Sequence, residues 1–363
     1  MSSRLLVDVG PAVGDDGSRG IGRYVRGLVE AIETWPAEVQ ERIWAIGLAG
    51  QALDVFGDRG IAAPWLGLRP LDTGWLLGAA ALRRGVHRSF ASAFHATDPH
   101  RPWRSGRVRQ VVTAYDLIPF HDAAVLATWR PHHRWVYRAY LRQLESADLV
   151  VAISHATARD LTESLGIPAD RIGIVYPVVK RPPSTFRAPS SEPTFLFVGA
   201  PDPHKQPELA IRALGRFRES HGEGILRFIG PSSNARRREL AEVARTLGIA
   251  DYLRFEGWIP DSGLDRAFAE ATALLFTSRI EGFGLPAVEA ALRGLPVIAV
   301  DTPAARETVG AVARLVPQDS EAIAEAMAAP MTPDAAALSD LAARFSTSAT
   351  ADALRAVYER ALG

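Results

Sequence analysis

Two glutamates eight residues apart, on either side of a glycine-rich turn, are the residues best suited to chemistry. The segment from Glu281 to Glu289 follows an apolar run and begins a helical pattern. Its glycines let the backbone approach a ligand closely, and we expect the amides of Phe283, Gly284 and Leu285 at the helix start to attract an anion. The carboxylates suit sugar or ribose hydroxyls. For this spacing alone, the alternative is an ordinary strand–turn–helix with a capping acid.

Lys205 is the second candidate. The chain contains only two lysines, Lys180 and Lys205, and the rest of its 41 basic residues are arginine. A lysine kept against that background is less likely to be arbitrary, and this one follows a predicted strand and Gly199. Charge that develops on a departing phosphate is stabilised by an ammonium group and aligned amides. A solvated surface charge is the alternative.

Further candidates lie in the first half of the chain. The loop Gly14–Arg23 follows the first predicted strand, where a phosphate or acceptor loop belongs, and includes Gly20, Gly22 and Arg23. Its glycine spacing is not the G-x-G-x-x-G of dinucleotide-binding proteins, which argues against a dehydrogenase. Asp116 ends another predicted strand and either contacts a sugar or acceptor or caps the following loop.

Short apolar runs alternate with helical patterns, which predicts an α/β protein with parallel sheets. The 363 residues exceed what one core holds. A proline- and serine-rich link at residues 177–191 separates the halves, so we predict two doubly wound, Rossmann-like domains facing each other across a cleft. The first domain covers residues 1–182, joined by a C-terminal helix at 346–363, and the second covers 183–345.

The predicted elements follow that division. Strands are expected at Arg4–Gly10, Ile43–Leu48, Ser92–Thr97, Val108–Ala114, Leu149–Ile153, Arg171–Tyr176, Thr194–Gly199, Leu226–Ile229, Leu253–Phe255, Ala273–Thr277, Pro296–Val300 and Arg314–Val316. Helices are expected near Gly22–Thr34, Trp75–Val86, Trp129–Ala147, Ser154–Leu165, Pro207–Arg218, Asn234–Leu247, Gly263–Glu270, Pro286–Leu292, Ser320–Met327 and Ser348–Leu362. Ser154 is a predicted N-cap.

Composition excludes several classes of function. Acidic and basic residues both number 41, so no charge excess favours nucleic acid. The absence of cysteine removes disulfides and thiolate chemistry. The sequence contains no D-x-D and no H-E-x-x-H motif, so we expect no metal and no cofactor. No apolar stretch reaches 18 residues, which predicts a soluble, cytoplasmic protein.

Two stretches rich in basic and aromatic residues are candidates for contact with a membrane surface. Trp129–Arg138 and Trp75–Arg88 could contact a membrane surface that presents a lipid-linked acceptor, which would place the protein at the inner face of the membrane. The alternative, which we favour, is a solvated helix face with its aromatic residues in the core.

The segment Glu281–Glu289, with its Gly-Phe-Gly-Leu-Pro core, resembles the signature of retaining GT-B glycosyltransferases, most closely family 4. Gly20–Tyr24 and Asp116–Pro119 resemble the subset that includes mannosyl- and rhamnosyltransferases of polysaccharide assembly. The resemblance covers nearly the whole chain. Other segments in the family's order and spacing are Phe197–Lys205, Ala147–Ser154, Gly166–Pro168, Ile174–Pro177 and Phe255–Ile259.

The resemblance implies roles for individual residues. Lys205, on the loop that begins at Gly199, contacts the donor diphosphate. Glu281 holds the transferring sugar with the amides at the helix start, and Glu289 binds the ribose. The backbone near Trp258 and Ile259 frames the base.

Two positions depart from the family pattern. Tyr115 stands where many relatives carry histidine near the donor sugar; a tyrosine can still hydrogen-bond a sugar hydroxyl. Ala200 and Pro201 stand where relatives often supply an arginine, so a second phosphate cation comes from elsewhere, with Arg23 as a candidate.

The resemblance implies transfer of a hexose from a nucleotide-diphosphate sugar, with GDP-mannose as the first expected donor and dTDP-rhamnose or another nucleotide sugar as the second. The acceptor would be a glycan, a lipid-linked molecule or a natural product. The alternative from another class is a non-catalytic protein that binds nucleotide sugars.

Overall fold

Two parallel β-sheets organise the chain, one in each of two compact units. The structure, a computed structural model, describes residues 4–12, 20–48, 60–63, 80, 83–87, 89–100, 102, 108–182, 188 and 190–363. The expected helix at Trp75–Val86 and the loop before Gly20 lie largely outside these residues. The first unit comprises Met1–Leu117, Thr128–Val178 and Phe345–Gly363, and the second Ile118–Ala127 and Val179–Arg344.

The first unit contains a seven-stranded sheet in the order β3-β2-β1-β4-β5-β6-β7, with every neighbouring pair parallel. All residues of β1, β4 and β6 are buried, as in a sheet covered on both faces. The strand β3 was not predicted, because Gly-Ile-Ala-Ala offers little β-propensity. The strands are β1 Leu5–Asp8, β2 Ile43–Leu48, β3 Gly60–Ala63, β4 Ala93–Ala96, β5 Arg109–Ala114, β6 Leu149–Ala152 and β7 Ile172–Ile174.

The second unit contains a six-stranded parallel sheet in the order β10-β9-β8-β11-β12-β13, at the six positions that the sequence predicted. In chain order within the unit, this is the arrangement of the first six strands of the first unit. The strands are β8 Thr194–Val198, β9 Ile225–Ile229, β10 Leu253–Gly257, β11 Ala273–Phe276, β12 Val297–Val300 and β13 Arg314–Val316. Both units are therefore doubly wound and Rossmann-like, as predicted.

Helices connect the strands. The N-cap predicted at Ser154 is confirmed, since its Oγ accepts a hydrogen bond from the backbone N–H of Thr157 at 2.9 Å. The helices α2, α3, α4, α11 and α13 were not predicted. The described helices are α1 Gly20–Glu33, α2 Ala37–Gln40, α3 Ile118–His121, α4 Ala123–Thr128, α5 Pro131–Ser146, α6 His155–Leu165, α7 Pro207–His221, α8 Asn234–Thr246, α9 Asp261–Glu270, α10 Leu285–Leu292, α11 Pro303–Val309, α12 Ser320–Ala328, α13 Ala335–Arg344 and α14 Thr347–Leu362.

The C-terminal helix α14 packs on the first unit, as the sequence predicted, and contacts α1. A buried network holds it: Nδ1 of His95 lies 2.7 Å from the hydroxyl of Tyr358, and the indole N–H of Trp35 donates to the carbonyl of Ala351 at 3.3 Å. The helix approaches β7 so closely that a Cβ added to Gly173 would clash with the side chain of Val357.

The segment Ile118–Ala127 departs from the expected division. The prediction placed it within the domain 1–182, but the structure assigns it to the second unit. One reason is visible in the contacts: Asp122 forms an ion pair with Arg279 of the second unit.

Candidate functional site

The candidate site lies at the carboxyl ends of β8 and β11, which are hydrogen-bonded neighbours. The chain passes from β8 to β9 on one side and reaches β11 on the other, so this is the point where the strand order reverses. Ligands of open α/β sheets bind at such switch points. The loop after β8 carries Lys205, and the loop after β11 carries Glu281.

Side-chain and backbone hydrogen bonds fix these two loops to each other. The hydroxyl of Thr277, which is buried, donates to the carbonyl of Lys205 at 2.7 Å. The backbone N–H of Arg279 donates to the carbonyl of His204 at 3.0 Å. The turn that bears the lysine is therefore anchored to the loop that bears the glutamate.

Lys205 and Glu281 face each other. The lysine Nζ lies 3.9 Å from Oε1 of Glu281, and the side chains are 21% and 14% exposed. The same Oε1 accepts a hydrogen bond from the hydroxyl of Ser278 at 2.8 Å. At 3.9 Å the two groups are too far apart for a direct hydrogen bond, so the contact is loose. The pair is thus a positioned, solvent-reachable cation and anion rather than a structural brace.

Gly199 makes room for the lysine. Its φ is +117°, a conformation that favours glycine, and a Cβ at this position would lie 2.9 Å from Nζ of Lys205. The close approach gives a physical reason for glycine directly after β8.

The helix α10 begins beside this pair. Its N-cap, Gly284, has φ of +90°, and a Cβ there would lie 2.8 Å from the ring of Phe276. Pro286 occupies the first turn, as predicted, and Leu285 opens the helix. The first-turn amides of a helix lack partners within the helix and attract anions. Phe283, just before the cap, is buried.

Glu289 lies in the second turn of α10 and is buried. Trp258 and Ile259 follow β10 at the same edge of the sheet. Because β10 is two strands from β8, its end is about 10 Å from the lysine loop. The indole of Trp258 is 61% exposed.

His204 was not identified from the sequence. Its ring is buried, and within the described part of the chain its Nδ1 has no hydrogen-bond partner. Burial lowers the pKa of His204, the charge of Glu281 opposes that shift, and the charge of Lys205 adds to it. A neutral imidazole therefore stands beside the charged pair.

An arginine lies close to the loop after β8, but on another helix. Nε of Arg236 donates to the carbonyl of Pro201 at 2.9 Å, and the guanidinium also pairs with Glu208 at 2.6 Å and Glu239 at 3.1 Å. Two carboxylates neutralise this cation, so it braces the loop. Arg23, the expected second cation, is half-buried on α1 of the first unit.

The other predicted residues belong to the first unit. Gly20 opens α1 and is exposed, whereas Gly22 is buried in it. Asp116 follows β5, is half-buried, and adds to the effect of burial in raising the pKa of Tyr140.

The side chain of Tyr115 is committed within the first unit. Its hydroxyl donates to the carbonyl of Thr97 at 2.8 Å, and its ring packs edge-on against Tyr24. Burial raises the pKa of Tyr115, so the phenol stays neutral. Its proton already has a partner, and a sugar hydroxyl would have to donate to the phenol oxygen instead.

In the described ranges, no three or more His, Asp or Glu side chains are grouped so that they could hold a metal ion. Nor does any helix described by the structure combine the length and apolarity needed to cross a bilayer.

Comparison with known families identifies the class. A model described as Glycosyltransferase Family 4 matches residues 18–181, and one described as Glycosyl transferases group 1 matches residues 183–350. The two matches cover both units. The chain therefore belongs to the family-4 glycosyltransferases.

Curated relatives carry the same class name. A D-inositol 3-phosphate glycosyltransferase of Thermobispora bispora is 34% identical over 60% of this chain and 57% of its own length. One of Nocardia farcinica is 29% identical over 80% of this chain and 71% of its own length. The chain spans about half the length of the first curated relatives it matches.

Solved structures show the fold. Sucrose-phosphate synthase from Thermosynechococcus elongatus aligns with a TM-score of 0.74 at 19% identity, over 99% of this chain and 98% of its own. Anabaena HepE in complex with UDP and glucose aligns with a TM-score of 0.68 at 18% identity, over 98% and 99%. The fold is GT-B.

Proposed function

We propose that this protein transfers a hexose from a nucleotide-diphosphate sugar to a hydroxyl-bearing acceptor, with retention at the anomeric carbon. The observation that carries the proposal is the Lys205–Glu281 pair beside the start of α10, at the switch point of the second sheet. Family membership supports the same activity.

In this reaction the bond between the anomeric carbon and the diphosphate oxygen breaks, and a bond to the acceptor oxygen forms on the same face. The acceptor proton passes to the departing phosphate oxygen. Lys205 and the amides of Gly284 and Leu285 stabilise the charge that builds on that diphosphate. The oriented carboxylate of Glu281 accepts hydrogen bonds from the sugar hydroxyls.

Other residues of the second unit contact the nucleoside part of the donor sugar nucleotide in this proposal. Glu289 binds the ribose hydroxyls, and the chain at Trp258 and Ile259 frames the base. GDP-mannose remains the first expected donor, on the resemblance of Gly20–Tyr24 and Asp116–Pro119, and dTDP-rhamnose the second. The UDP bound by HepE favours UDP-sugars as a further donor class.

The acceptor class is open to direct assay. The names of the curated relatives favour a polyol phosphate such as inositol 3-phosphate, beside the glycans, lipid-linked molecules and natural products expected from the sequence. Gly20, Gly22, Arg23 and Asp116 of the first unit are the residues proposed for acceptor or donor contacts there.

The test is a panel of GDP-, UDP- and dTDP-sugars, each assayed for hydrolysis and for transfer to these acceptors, with anomeric configuration read by NMR. We expect turnover with one nucleotide class and retention in the product. Glu281→Gln should lower turnover about 100-fold, by loss of an oriented acceptor. Glu359→Gln, in an exposed ion pair with Arg355 on α14, is the control. Nucleotide-sugar binding without turnover on any acceptor would favour the non-catalytic binding protein.

A membrane surface is a second partner that one observation favours. Arg130, Arg134, Arg138 and Arg142 recur every four residues at the start of and along α5, and all are exposed, as is Trp135. Exposed basic side chains next to an aromatic ring are attracted to an anionic lipid surface. The proposal is peripheral binding at an anionic membrane face.

Flotation with vesicles of 30% phosphatidylglycerol, compared with pure phosphatidylcholine, tests this surface. Arg134→Gln/Arg138→Gln should reduce binding about 30-fold, at about 1 kcal/mol per arginine. Arg238→Gln/Arg245→Gln on α8 removes two other exposed arginines as the control. Equal binding by the wild type and both double variants would contradict the proposal.

A further inference from the structure

Asp122, in the segment Ile118–Ala127, contacts the loop after β11. Asp122 lies between α3 and α4 and is only 4% exposed. One carboxylate oxygen accepts the backbone N–H of Ala124 at 2.9 Å, at the start of α4, and the other accepts a hydrogen bond from the guanidinium of Arg279. The carboxylate is thus fully engaged by one helix start and one arginine.

Arg279 in turn is bonded directly to the lysine turn. Its backbone N–H donates to the carbonyl of His204, the residue before Lys205. Along the chain it follows Ser278, which hydrogen-bonds Glu281. One residue therefore touches the segment from the first half of the sequence with its side chain and the Lys205 turn with its backbone.

We propose that Asp122 and Arg279 are positioning residues, which hold the loop after β11 so that Lys205 and Glu281 keep their geometry. This inference rests on the proposed function, since the geometry matters only if the pair binds the donor. Neither residue needs to touch the substrate. The buried carboxylate fixes the guanidinium, the guanidinium fixes the backbone of its own loop, and the loop holds the lysine turn.

Because Asp122 is buried, its ion pair with Arg279 differs from the ion pairs on the surface of the protein. Asp122 is buried, whereas the side chain of Arg279 is 35% exposed, so the guanidinium is free to turn towards solvent once the carboxylate charge is removed. In an exposed pair such as Glu242 with Arg245 on α8, water replaces the lost partner. Glu242→Gln is therefore the matched control for Asp122→Asn.

Asp122→Asn keeps an oxygen that can cap α4 but removes the charge. Displacement of a catalytic group by about 1 Å can cost up to 100-fold in rate, so we expect kcat to fall about 10- to 100-fold with KM changed less than about threefold. Glu242→Gln should retain wild-type kcat. Arg279→Lys, which keeps the charge but not the planar fork, should show a smaller loss than Arg279→Gln.

The second readout does not depend on activity. The chain has two lysines, so reductive ¹³C-methylation yields signals for Lys180, Lys205 and the N-terminal amine alone. In Asp122→Asn the Lys205 methyl signal should shift while the Lys180 signal stays in place, and Glu242→Gln should shift neither. Should Asp122→Asn fail to fold, Arg279→Gln provides the same two measurements.

An unmoved Lys205 signal together with wild-type kcat in Asp122→Asn and Arg279→Gln would overturn the proposal. If the wild type transfers no sugar from any donor, the proposed function fails. The methyl signals still decide whether Asp122 and Arg279 position Lys205.

Discussion

The two units share a strand order, but the residues at the switch point, where that order reverses, differ between them. In the first unit, at the ends of β1 and β4, the Asp8 carboxylate accepts the N–H of Gly10 at 2.9 Å, and the Thr97 hydroxyl donates to the Asp8 carbonyl at 2.6 Å. In the second unit, at the ends of β8 and β11, Lys205 and Glu281 remain partly exposed.

The two switch points differ in whether their polar groups form hydrogen bonds with other groups of the protein. At the first switch point the polar groups that the structure describes bond to other protein groups, and the Tyr115 hydroxyl donates to the Thr97 carbonyl. At the second, a cation, an oriented carboxylate and a helix start meet, and Nδ1 of His204 lacks a partner among the described residues. This contrast supports the proposal that the anion binds in the second unit.

The largest expected effect is on Lys205. Lys205→Ala removes the ammonium group that we propose stabilises the leaving diphosphate, so kcat/KM should fall about 10²- to 10³-fold. The thermal midpoint should change little, because the ammonium makes only a long, 3.9 Å contact with Glu281. Steady-state kinetics and thermal unfolding check both points. Lys180→Ala is the control, and an equal loss of activity in the two variants would contradict the assignment.

Gly199→Ala tests whether the site depends on the close approach of the lysine. The new Cβ would meet Nζ of Lys205 at 2.9 Å, so the ammonium must move, and we expect kcat/KM to fall about 10-fold or more. Gly222→Ala is the control for an alanine at positive φ, because its φ is +75° and nothing lies within 4 Å of the added Cβ. Both variants should lose about 1–2 kcal/mol of stability, and only Gly199→Ala should lose activity. Parallel losses of activity would show that strain alone is responsible.

His95 makes the first unit sensitive to pH. Burial lowers the pKa of His95 to about 3, against about 6.5 in the unfolded chain. The unfolded state binds the proton more readily between these values, so stability is retained above pH 6.5 and lost as the pH falls. Between pH 7.5 and 5 this group should cost about 2 kcal/mol.

Urea unfolding of the wild type and of His95→Gln at the two pH values measures that cost. Glutamine does not titrate, so the variant should lose about 2 kcal/mol less than the wild type over the same pH interval. Parallel losses would mean that His95 is not the responsible group. Activity of the folded protein should follow a different pH dependence, because His95 lies among β4, β5 and α14.

The smallest expected effect is that of Tyr115→Phe. The variant loses the hydrogen bond to Thr97, at a cost of about 1 kcal/mol in stability, and its transfer rate should stay within about threefold of wild type. Chemical denaturation and initial rates measure the two quantities. A loss of 100-fold in rate would place the phenol oxygen on the substrate and remove the contrast between the switch points.

The second unit was largely predictable from sequence because its signals are local. The turn between Glu281 and Glu289 lies in one segment, and its glycines and proline specify the helix start. That Lys205 approaches Glu281 follows from β8 and β11 being neighbours, which the doubly wound order implies.

Contacts between distant segments were not predictable. Asp122 and Arg279 are 157 residues apart, and the sequence around each residue gives no sign that the two side chains pair. The unpartnered Nδ1 of His204 depends on how its ring is buried, and the partner of the Tyr115 hydroxyl depends on the register of β4 beside β5. These are consequences of packing, which residue type and spacing do not encode.

A crystal structure with the nucleoside diphosphate of the preferred donor tests the central claim most directly. The account predicts pyrophosphate oxygens within about 3 Å of Nζ of Lys205 and of the first-turn amides of α10, at the carboxyl ends of β8 and β11. A diphosphate bound at the ends of β1 and β4, or one that leaves Lys205 paired only with Glu281, would contradict it.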